Sequence, residues 1–284
     1  MTMATWLITG CSTGLGRALA EEVLGAGYNA VVTARNATEV RDLVDAHPAT
    51  ALGVALDVTD PAQVTAAVAQ AEQRFGQIDV LVNNAGYGYR AAVEEGDDDD
   101  VRRLFDTNLF GVAAMVKAVL PGMRARRAGT IVNISSIGAR ACPPGSGYYA
   151  ASKAALEALT SALRKEVGPL GITAMAVEPG AFRTDFAGRS LTQSATAIAD
   201  YADTAGKRRK ENDTVHGTQP GDPARAAAAL VDVVNSGEAP ALLVLGTDAL
   251  GMFRSVVDGQ HAELDAWEHL STSTDFDTNE PAPQ

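Results

Sequence analysis

Short apolar runs alternate with helix-like stretches along most of the chain, and this alternation constrains the fold more than any other feature of the sequence. The runs are continuously apolar rather than alternating in polarity, as expected of parallel strands that are buried on both faces. The sequence therefore predicts an α/β fold, a single doubly wound, Rossmann-like domain with a parallel sheet of about seven strands. The predicted strands cover residues 5–9, 29–34, 52–56, 79–84, 130–135, 172–178 and 240–246.

Helical patterns separate these runs, and two segments interrupt the rhythm. A long insertion at about 185–220 is rich in Ser, Thr, Ala and charge, and connections of this length are usually functional lids or disordered. We expect one domain over residues 1–270, followed by a flexible polar tail at 271–284. The predicted helices lie at about 15–24, 37–46, 61–75, 98–124, 149–167 and 223–234.

Composition argues against several classes of partner. The formal net charge is -12, and a surface this acidic repels nucleic-acid phosphates and anionic lipids. Two cysteines, Cys11 and Cys142, do not make a disulfide framework in a chain of this length. The N-terminus lacks a signal-peptide pattern, and the longest apolar run, around Val112 to Leu120, is too short for a membrane span. We expect a cytoplasmic protein that binds neither nucleic acid nor membranes.

Three further groups of residues have ordinary explanations in the sequence. The aspartates from Asp97 to Asp100 suit the start of a helix better than a metal site. The four histidines are scattered, and we expect no metal. The basic run from Lys207 to Lys210 can contact an anionic substrate, but a solvated helix face is the favoured interpretation.

A glycine-rich turn links the first strand to the first helix, with the sequence TGCSTGLG at residues 9–16. Such a turn directs backbone N–H groups and the positive end of a helix dipole at a pyrophosphate. Its spacing differs from G-x-G-x-x-G, and an ordinary strand–helix turn is the alternative. Its place in the first strand–helix unit favours dinucleotide binding. The expected contacts are Gly10, Ser12, Thr13, Gly14, Leu15 and Gly16.

The ends of the next three strands bear on the choice of cofactor. NAD-selective sites carry an acidic residue about 20 positions after the glycines, whereas Arg35 lies in that region here. Arg35 can pair with a 2′-phosphate, which favours NADP(H) over NAD(H), although it can also be a solvated arginine. Asp57 either accepts a hydrogen bond from adenine or caps a helix in competition with Asp60. The other expected contacts are Asn36, Val58, Asn84, Ala85 and Gly86. The paired Asn83 and Asn84 can equally stabilise the sheet through hydrogen bonds from side chain to backbone.

The strongest chemical feature is a tyrosine and a lysine four residues apart on a predicted helix. Tyr149 and Lys153 share one helix face, whereas the neighbouring Tyr148 has Ser152 at the equivalent position. A lone pair of this kind arises often by chance, and a surface pair is the alternative. Ser136 ends the preceding strand, which strengthens the catalytic interpretation.

With the glycine turn and the Asn-Asn-Ala-Gly at 83–86, these residues resemble the short-chain dehydrogenase/reductase family over residues 5 to about 185. The resemblance implies that Tyr149 is the general acid/base and that Ser136 orients the substrate oxygen. It implies that Lys153 holds the nicotinamide ribose and lowers the pKa of the tyrosine. Asn108 would support a water-mediated proton relay. The expected nicotinamide contacts are Pro179, Gly180, Phe182 and Thr184.

The resemblance also bears on substrate and assembly. It implies hydride transfer between NADP(H) and a small-molecule carbonyl or secondary alcohol, by a homodimer or homotetramer formed through the helices near 98–124 and 149–167. A sugar-nucleotide epimerase is disfavoured by the glycine spacing. A non-catalytic NADP(H)-sensing regulator is the alternative from another class. The substrate wall, expected to be apolar, includes Ser136, Tyr149, Tyr87, Tyr89, Cys142, Pro143, Phe186 and Leu191, with ordinary packing as the alternative.

Overall fold

Seven parallel strands form the central sheet, in the order β3-β2-β1-β4-β6-β7-β9. The computed structural model describes residues 3–188, 190–210 and 217–276. A separate parallel pair joins β5 to β8. The strands are β1 (Thr5–Ile8), β2 (Asn29–Ala34), β3 (Ala51–Ala55), β4 (Val80–Asn83), β5 (Gly88–Arg90), β6 (Gly129–Ile134), β7 (Ile172–Pro179), β8 (Leu191–Gln193) and β9 (Leu242–Leu245).

Helices cover both faces of the sheet, as the continuous apolar strands require. Their bounds are α1 (Gly14–Gly25), α2 (Arg41–Ala46), α3 (Pro61–Phe75), α4 (Asp98–Phe105), α5 (Val112–Arg126), α6 (Gly138–Ala141), α7 (Gly147–Val167), α8 (Ala205–Lys210), α9 (Pro223–Asn235) and α10 (Thr247–Thr272). The predicted doubly wound α/β fold with about seven strands is confirmed.

Two apolar layers hold the sheet between the helices. Alternate residues of β1 divide between them, with Trp6 and Ile8 in one layer and Leu7 in the other. The first layer includes the buried face of α1 and α9, and the second includes that of α3, α5 and α7. β1 therefore buries side chains on both faces, which explains why its sequence shows no polar alternation.

The sheet reverses its strand order at β1, which pairs with β2 on one side and with β4 on the other. In open α/β sheets, ligands bind at the carboxyl ends of the strands beside such a reversal. The glycine turn follows β1, and the Asn-Ala-Gly segment follows β4. The topology thus brings sequence-distant segments together at one crevice.

The helix predicted at about 98–124 is two α-helices joined by a π-helical segment, Asp106–Gly111. Single π turns inside helices occur frequently at functional sites, and this one contains Asn108. Of the described residues, the stretch Asp98–Arg126 alone has the length and apolar composition of a membrane-spanning helix. Buried core side chains such as Met115 and Val119 account for that apolar character.

Several elements depart from the sequence predictions. The β5–β8 pair, the short α6 and the 26-residue α10 were not predicted. The flexible tail was predicted from residue 271, but α10 continues to Thr272, and 277–284 lie outside the described residues. The predicted lid contains β8 and α8, while its residues 189 and 211–216 also lie outside them.

Candidate active site

The turn after β1 adopts the backbone conformation that its glycines permit. Gly10 and Gly14 have φ values of 73° and 66°, in the left-handed region that glycine tolerates best. A Cβ at Gly16 would lie 2.3 Å from the Asn84 amide nitrogen and from the Gly10 carbonyl oxygen. Gly16 is therefore needed for packing under the turn, and it does not line the cavity.

Asn84 fastens this turn to the end of β4. Its amide nitrogen donates to the carbonyl oxygens of Thr9 at 3.0 Å and Gly10 at 2.9 Å. The Thr9 hydroxyl in return accepts from the backbone N–H groups of Asn84 and Ala85. Asn84, Ala85 and Gly86 also line the cavity, so this segment both holds the turn and forms part of the wall.

The first turn of α1 is open toward the cavity. Thr13 is its N-cap and makes no side-chain cap hydrogen bond within the described residues, and the first turn carries no acidic side chain. Unpaired N–H groups at a helix N-terminus form a site for a phosphate or another anion. Lining residues from the turn are Gly10, Ser12, Thr13, Gly14 and Leu15. The turn therefore fits a pyrophosphate.

Arg35 is exposed and lines the cavity directly after β2. Glu39 lines the cavity close by, a carboxylate that the sequence analysis overlooked when it considered only the strand end. Asn36 does not belong to the lining. Its amide oxygen instead caps the following 3₁₀ turn by accepting from Thr38 N, which accounts for an asparagine at this position without a cofactor.

Asp57 and Val58 line the cavity at the end of β3. The helix-cap alternative for Asp57 does not hold, because Asp60 caps α3 by accepting from Ala62 N at 2.8 Å. One oxygen of Asp57 accepts from the backbone and hydroxyl of Thr59. This local turn fixes the direction of the carboxylate.

Ser136, Tyr149 and Lys153 all line the cavity. A Cβ at Gly138 would lie 3.2 Å from Ser136 Oγ and 3.5 Å from Tyr149 Cε1, so these two side chains lie close together, and Ser136 Oγ accepts from Gly138 N at 3.0 Å. The Lys153 ammonium donates to the Ile134 carbonyl at 2.8 Å and lies beside Gly86. Ser135 is the structural serine, buried and donating to Glu157 Oε1 at 2.6 Å.

Burial acts on the pKa values of both Tyr149 and Lys153. It raises the pKa of Tyr149, opposed by the Ser136 side chain and by the charge of Arg90. It lowers the pKa of Lys153 to about 8, opposed by Glu157. The Lys153 ammonium donates to a backbone carbonyl, and its effect on the tyrosine stays a prediction.

Asn108 is fully buried in the π-helical segment and does not line the cavity. Its amide oxygen accepts from Tyr87 N at 3.1 Å, and its nitrogen donates to Tyr87 O at 2.9 Å and to Ser152 Oγ at 3.1 Å. The side chain therefore ties the helix to the segment after β4. A role in proton relay stays a prediction.

The Pro-Gly segment forms another part of the cavity wall and approaches the glycine turn. Pro179, Gly180, Phe182 and Thr184 all belong to the lining. Asp248, at the start of α10, accepts from Ala181 N at 2.8 Å and so holds this segment. A Cβ at Gly14 would lie 3.4 Å from the Cβ of Thr184, which shows how closely the two segments approach each other.

Some of the residues expected to contact the substrate line the cavity, and others lie outside its lining. Phe186 lines the cavity, with its ring centroid 5.9 Å from that of Tyr149. Cys142 is exposed and outside the lining, because its left-handed backbone ends α6 there. Tyr89 is a core residue whose hydroxyl accepts from Asp97 N. Leu191 also lies outside the lining, whereas Pro143 belongs to it.

Tyr87 lines the cavity and is half-buried. Burial raises the pKa of its phenol, and the charges that act on it come from Arg103, Asp100, Asp106 and Arg35. A contact of Tyr87 with the substrate stays a prediction.

The basic run of the lid is not a solvated face throughout, which corrects the sequence interpretation. Arg208 lines the cavity, and Arg209 pairs with the buried Glu95 at 2.7 Å. Burial raises the pKa of Glu95, but hydrogen bonds from Ile198 N, Ala92 N and Arg209 outweigh it and lower the value overall. This buried pair anchors the lid to the domain.

These segments surround a continuous cavity of about 1230 Å³. Pockets for drug-sized ligands measure roughly 300–1,000 Å³, so this one has room for a dinucleotide and a second molecule. Besides Glu39 and Arg208, the sequence analysis missed Arg90, Asp248 and Met252 in the lining. The described residues contain no group of three His, Cys, Asp or Glu side chains that could hold a metal ion.

Fold and site together define a dinucleotide-binding α/β oxidoreductase, with a serine, a tyrosine and a lysine at the cavity wall. The short chain dehydrogenase family matches residues 4–195. The chain therefore belongs to the short-chain dehydrogenase/reductase family.

Full-length similarity supports this membership. Oxidoreductase BOA17 of Botryotinia fuckeliana is 37% identical over 270 residues, covering 95% of this chain and 98% of that protein. The crystal structure of a short-chain dehydrogenase from Streptomyces avermitilis is 42% identical with a TM-score of 0.91, covering 96% of this chain and 100% of that one. The similarity therefore extends through the lid and α10.

Two more distant structures contain a bound dinucleotide. ElxO with NADP bound is 27% identical with a TM-score of 0.72, covering 88% of this chain and 99% of that one. A 3-ketoacyl-(acyl-carrier-protein) reductase from Brucella melitensis, complexed with NADH, is 25% identical with a TM-score of 0.71, covering 85% and 96%. Relatives of this fold thus bind either dinucleotide.

Proposed function

We propose that this chain catalyses reversible hydride transfer between NADP(H) and a carbonyl or secondary alcohol. Ser136, Tyr149 and Lys153 line a cavity that also contains the open N-terminus of α1, and this observation carries the proposal. A sensor of NADP(H) needs the open helix N-terminus to bind the cofactor, but it does not need the three catalytic side chains. When bound, the nicotinamide supplies or receives the hydride.

The protein side chains manage the proton and the substrate oxygen. Tyr149 gives a proton to the oxygen as the carbonyl is reduced, and takes it back as the alcohol is oxidised. Ser136, whose Oγ lies close to the Tyr149 ring, orients that oxygen. The Lys153 ammonium, next to Gly86, can bind the ribose hydroxyls. The ring of Phe186 packs against that of Tyr149 and adds apolar surface to the site.

Arg35 supports the choice of NADP(H) over NAD(H), because a guanidinium can bind a 2′-phosphate through two hydrogen bonds. Glu39 opposes that choice, because its carboxylate lines the same part of the cavity. We propose that the arginine outweighs the glutamate, since a guanidinium–phosphate pair gains hydrogen bonds as well as charge.

The wall supports a substrate that is largely apolar. Ile137, Ala141, Pro143, Phe186 and Met252 contribute apolar surface to the cavity. Arg90 and Arg208 add charge, which the sequence-based expectation of an apolar wall did not include. We expect a ketone with hydrophobic bulk and at least one polar group.

We also propose that the protein forms a cytoplasmic homodimer or homotetramer. Phe110, beside α5, is 60% exposed, and Leu159 on α7 is 39% exposed. Exposed large apolar side chains on the helices near 98–124 and 149–167 are suited to contact a second copy.

The test is turnover of NADPH and of NADH, followed by absorbance, against a panel of hydrophobic ketones. We expect turnover with NADPH, and a lower kcat/KM with NADH. Tight binding of NADPH with no turnover of any ketone or alcohol would favour the sensor instead. Faster turnover with NADH would overturn the assignment of Arg35.

A further inference from the structure

Arg90 is a buried cation in the cavity that the proposed proton transfer leaves without a role. It is the last residue of β5, only 8% exposed, and it lines the cavity together with Tyr149. Burying a guanidinium is costly unless hydrogen bonds and charge compensate for the lost hydration. Its position beside the reacting centre therefore calls for an explanation in terms of that centre.

Three contacts fix Arg90 in place. Its guanidinium donates to the buried hydroxyl of Ser146, the residue before α7. Its backbone carbonyl accepts from Ser194 N of the lid at 3.0 Å, and the next residue, Ala91, donates to Gly145 O at 3.0 Å. Tyr149 lies in the first turn of α7, so the same contacts relate the guanidinium to the phenol.

The electrostatics point the same way. The charge of Arg90 lowers the pKa of Tyr149, against the raising effect of burial. Lys153 has a pKa of about 8 and donates to a backbone carbonyl. An arginine stays protonated over the whole working range of an enzyme. Arg90 therefore keeps its charge at pH values where Lys153 becomes neutral.

We propose that Arg90 is a positioning residue of this reaction, held by Ser146 at the start of α7 so that its guanidinium stabilises the phenolate of Tyr149. The inference rests on the proposed function, because it assigns the proton transfer to Tyr149. Arg90 is then a second cation of the site besides Lys153. It comes from β5, which the lid contacts, whereas Lys153 comes from the helix α7 that also carries Tyr149.

Several elements bring charges to this part of the cavity. Lys153 comes from α7, Arg208 from α8 and Asp248 from the start of α10. Glu157 faces Lys153 from the same helix and is itself paired with Arg140 at 3.2 Å. The remaining charged lining residues are Arg35, Glu39, Asp57, Asp100, Arg103 and Asp106. Of these charges, that of Arg90 lowers the pKa of Tyr149.

The test is the pH profile of kcat/KM for alcohol oxidation, which needs the phenolate and therefore falls at low pH. We expect Arg90→Met to move this falling limb upward by about one pH unit, since loss of a nearby opposite charge raises an acid's pKa. Ser146→Ala keeps the positive charge of Arg90 but removes the hydroxyl that holds the guanidinium in place. The upward shift of the falling limb should therefore be smaller in this variant. Arg90→Lys should stay closest to the wild type, and Arg102→Met, which removes an exposed charge from α4, should not shift the limb.

A limb that stays in place in Arg90→Met would overturn the inference, as would equal shifts in Arg90→Met and Arg102→Met. If Arg90→Met does not fold, as circular dichroism would show, the upward shift in Ser146→Ala carries the test, with Arg90→Lys as its control, and no shift in Ser146→Ala would then overturn the inference. Ultraviolet titration of tyrosine ionisation, taken as the difference from Tyr149→Phe in each background, measures the phenol without turnover. An inactive wild type would therefore refute the proposed function while the titration still decides the role of Arg90.

Discussion

Arg35 and Glu39 carry opposite charges at the part of the cavity where a 2′-phosphate would bind. We predict that Arg35→Ala lowers kcat/KM for NADPH by about ten- to a hundredfold, since hydrogen bonds to charged groups contribute about 1.5–3 kcal/mol. The value for NADH should change little. Glu39→Gln should raise kcat/KM for NADPH, because it removes a repulsive charge.

Steady-state kinetics with both cofactors check this prediction. Exposed Arg41, on the next helix and paired only with Asp45 among the described side chains, supplies a control, because Arg41→Ala makes the same charge change. An equal loss with NADPH and NADH in Arg35→Ala would contradict the assignment.

Among single residues, those whose roles depend on a local sequence pattern could be predicted. Tyr149 and Lys153 follow from helical spacing, and Gly10 and Gly14 from the demands of a turn. Arg90 and Arg208 could not be predicted, because they reach the cavity only when β5 pairs with β8 and the lid packs on the domain. The direction in which the pKa of Tyr149 shifts depends on burial and on Arg90, and both of these depend on the tertiary structure.

Among the elements, the lid depends on one buried ion pair. Arg209 of α8 pairs with Glu95 and donates to the carbonyls of Ser194 and Thr196. Glu95 also accepts from Ile198 N at 2.8 Å. We predict that Glu95→Gln destabilises the lid by about 3 kcal/mol, because removing one partner leaves a buried charge uncompensated. The expected results are faster proteolysis within the lid and a higher KM for the ketone.

The same pair predicts a pH dependence for the lid. The pKa of Glu95 is lowered in the fold from an ordinary value of 4.5. Its contribution to stability is therefore complete above that pH and is lost as the pH falls below it. Limited proteolysis from neutral to acidic pH should show the lid loosening in the wild type but not further in Glu95→Gln. Arg209→Met is the matched partner variant, and equal lid stability in all three proteins would contradict the prediction.

Strands and most helices could be predicted from sequence because periodicity reflects burial on the sheet. The exceptions have physical causes. Nothing in the apolar pattern marks the π-helical turn at Asp106–Gly111, which the hydrogen bonds of Asn108 hold in place. The β5–β8 pair has three residues in each strand, too few for a pattern. α10 is exposed over its second half and so lacks a clear apolar face toward the domain.

At the scale of the whole molecule, the exposed apolar side chains of the helices near 98–124 and 149–167 bear on assembly. We predict that the wild type is a dimer or tetramer in light scattering and that Phe110→Ser yields a smaller species, because it removes an exposed aromatic side chain from the proposed contact. Leu264→Ser is the comparison variant, since Leu264 is 68% exposed on α10. A monomeric wild type would contradict the proposal, and dissociation by Leu264→Ser alone would move the contact to α10.

The central claim is that Tyr149 transfers the proton in a reaction of NADP(H), and one measurement tests it most directly. The rate of NADPH oxidation with a ketone substrate should fall at least about a hundredfold in Tyr149→Phe, the range that general acid–base catalysis contributes. Binding of NADPH should be unchanged. Tyr148→Phe is the control, because that hydroxyl donates to the Val93 carbonyl instead. Full activity in Tyr149→Phe, or an equal loss in both variants, would contradict the account.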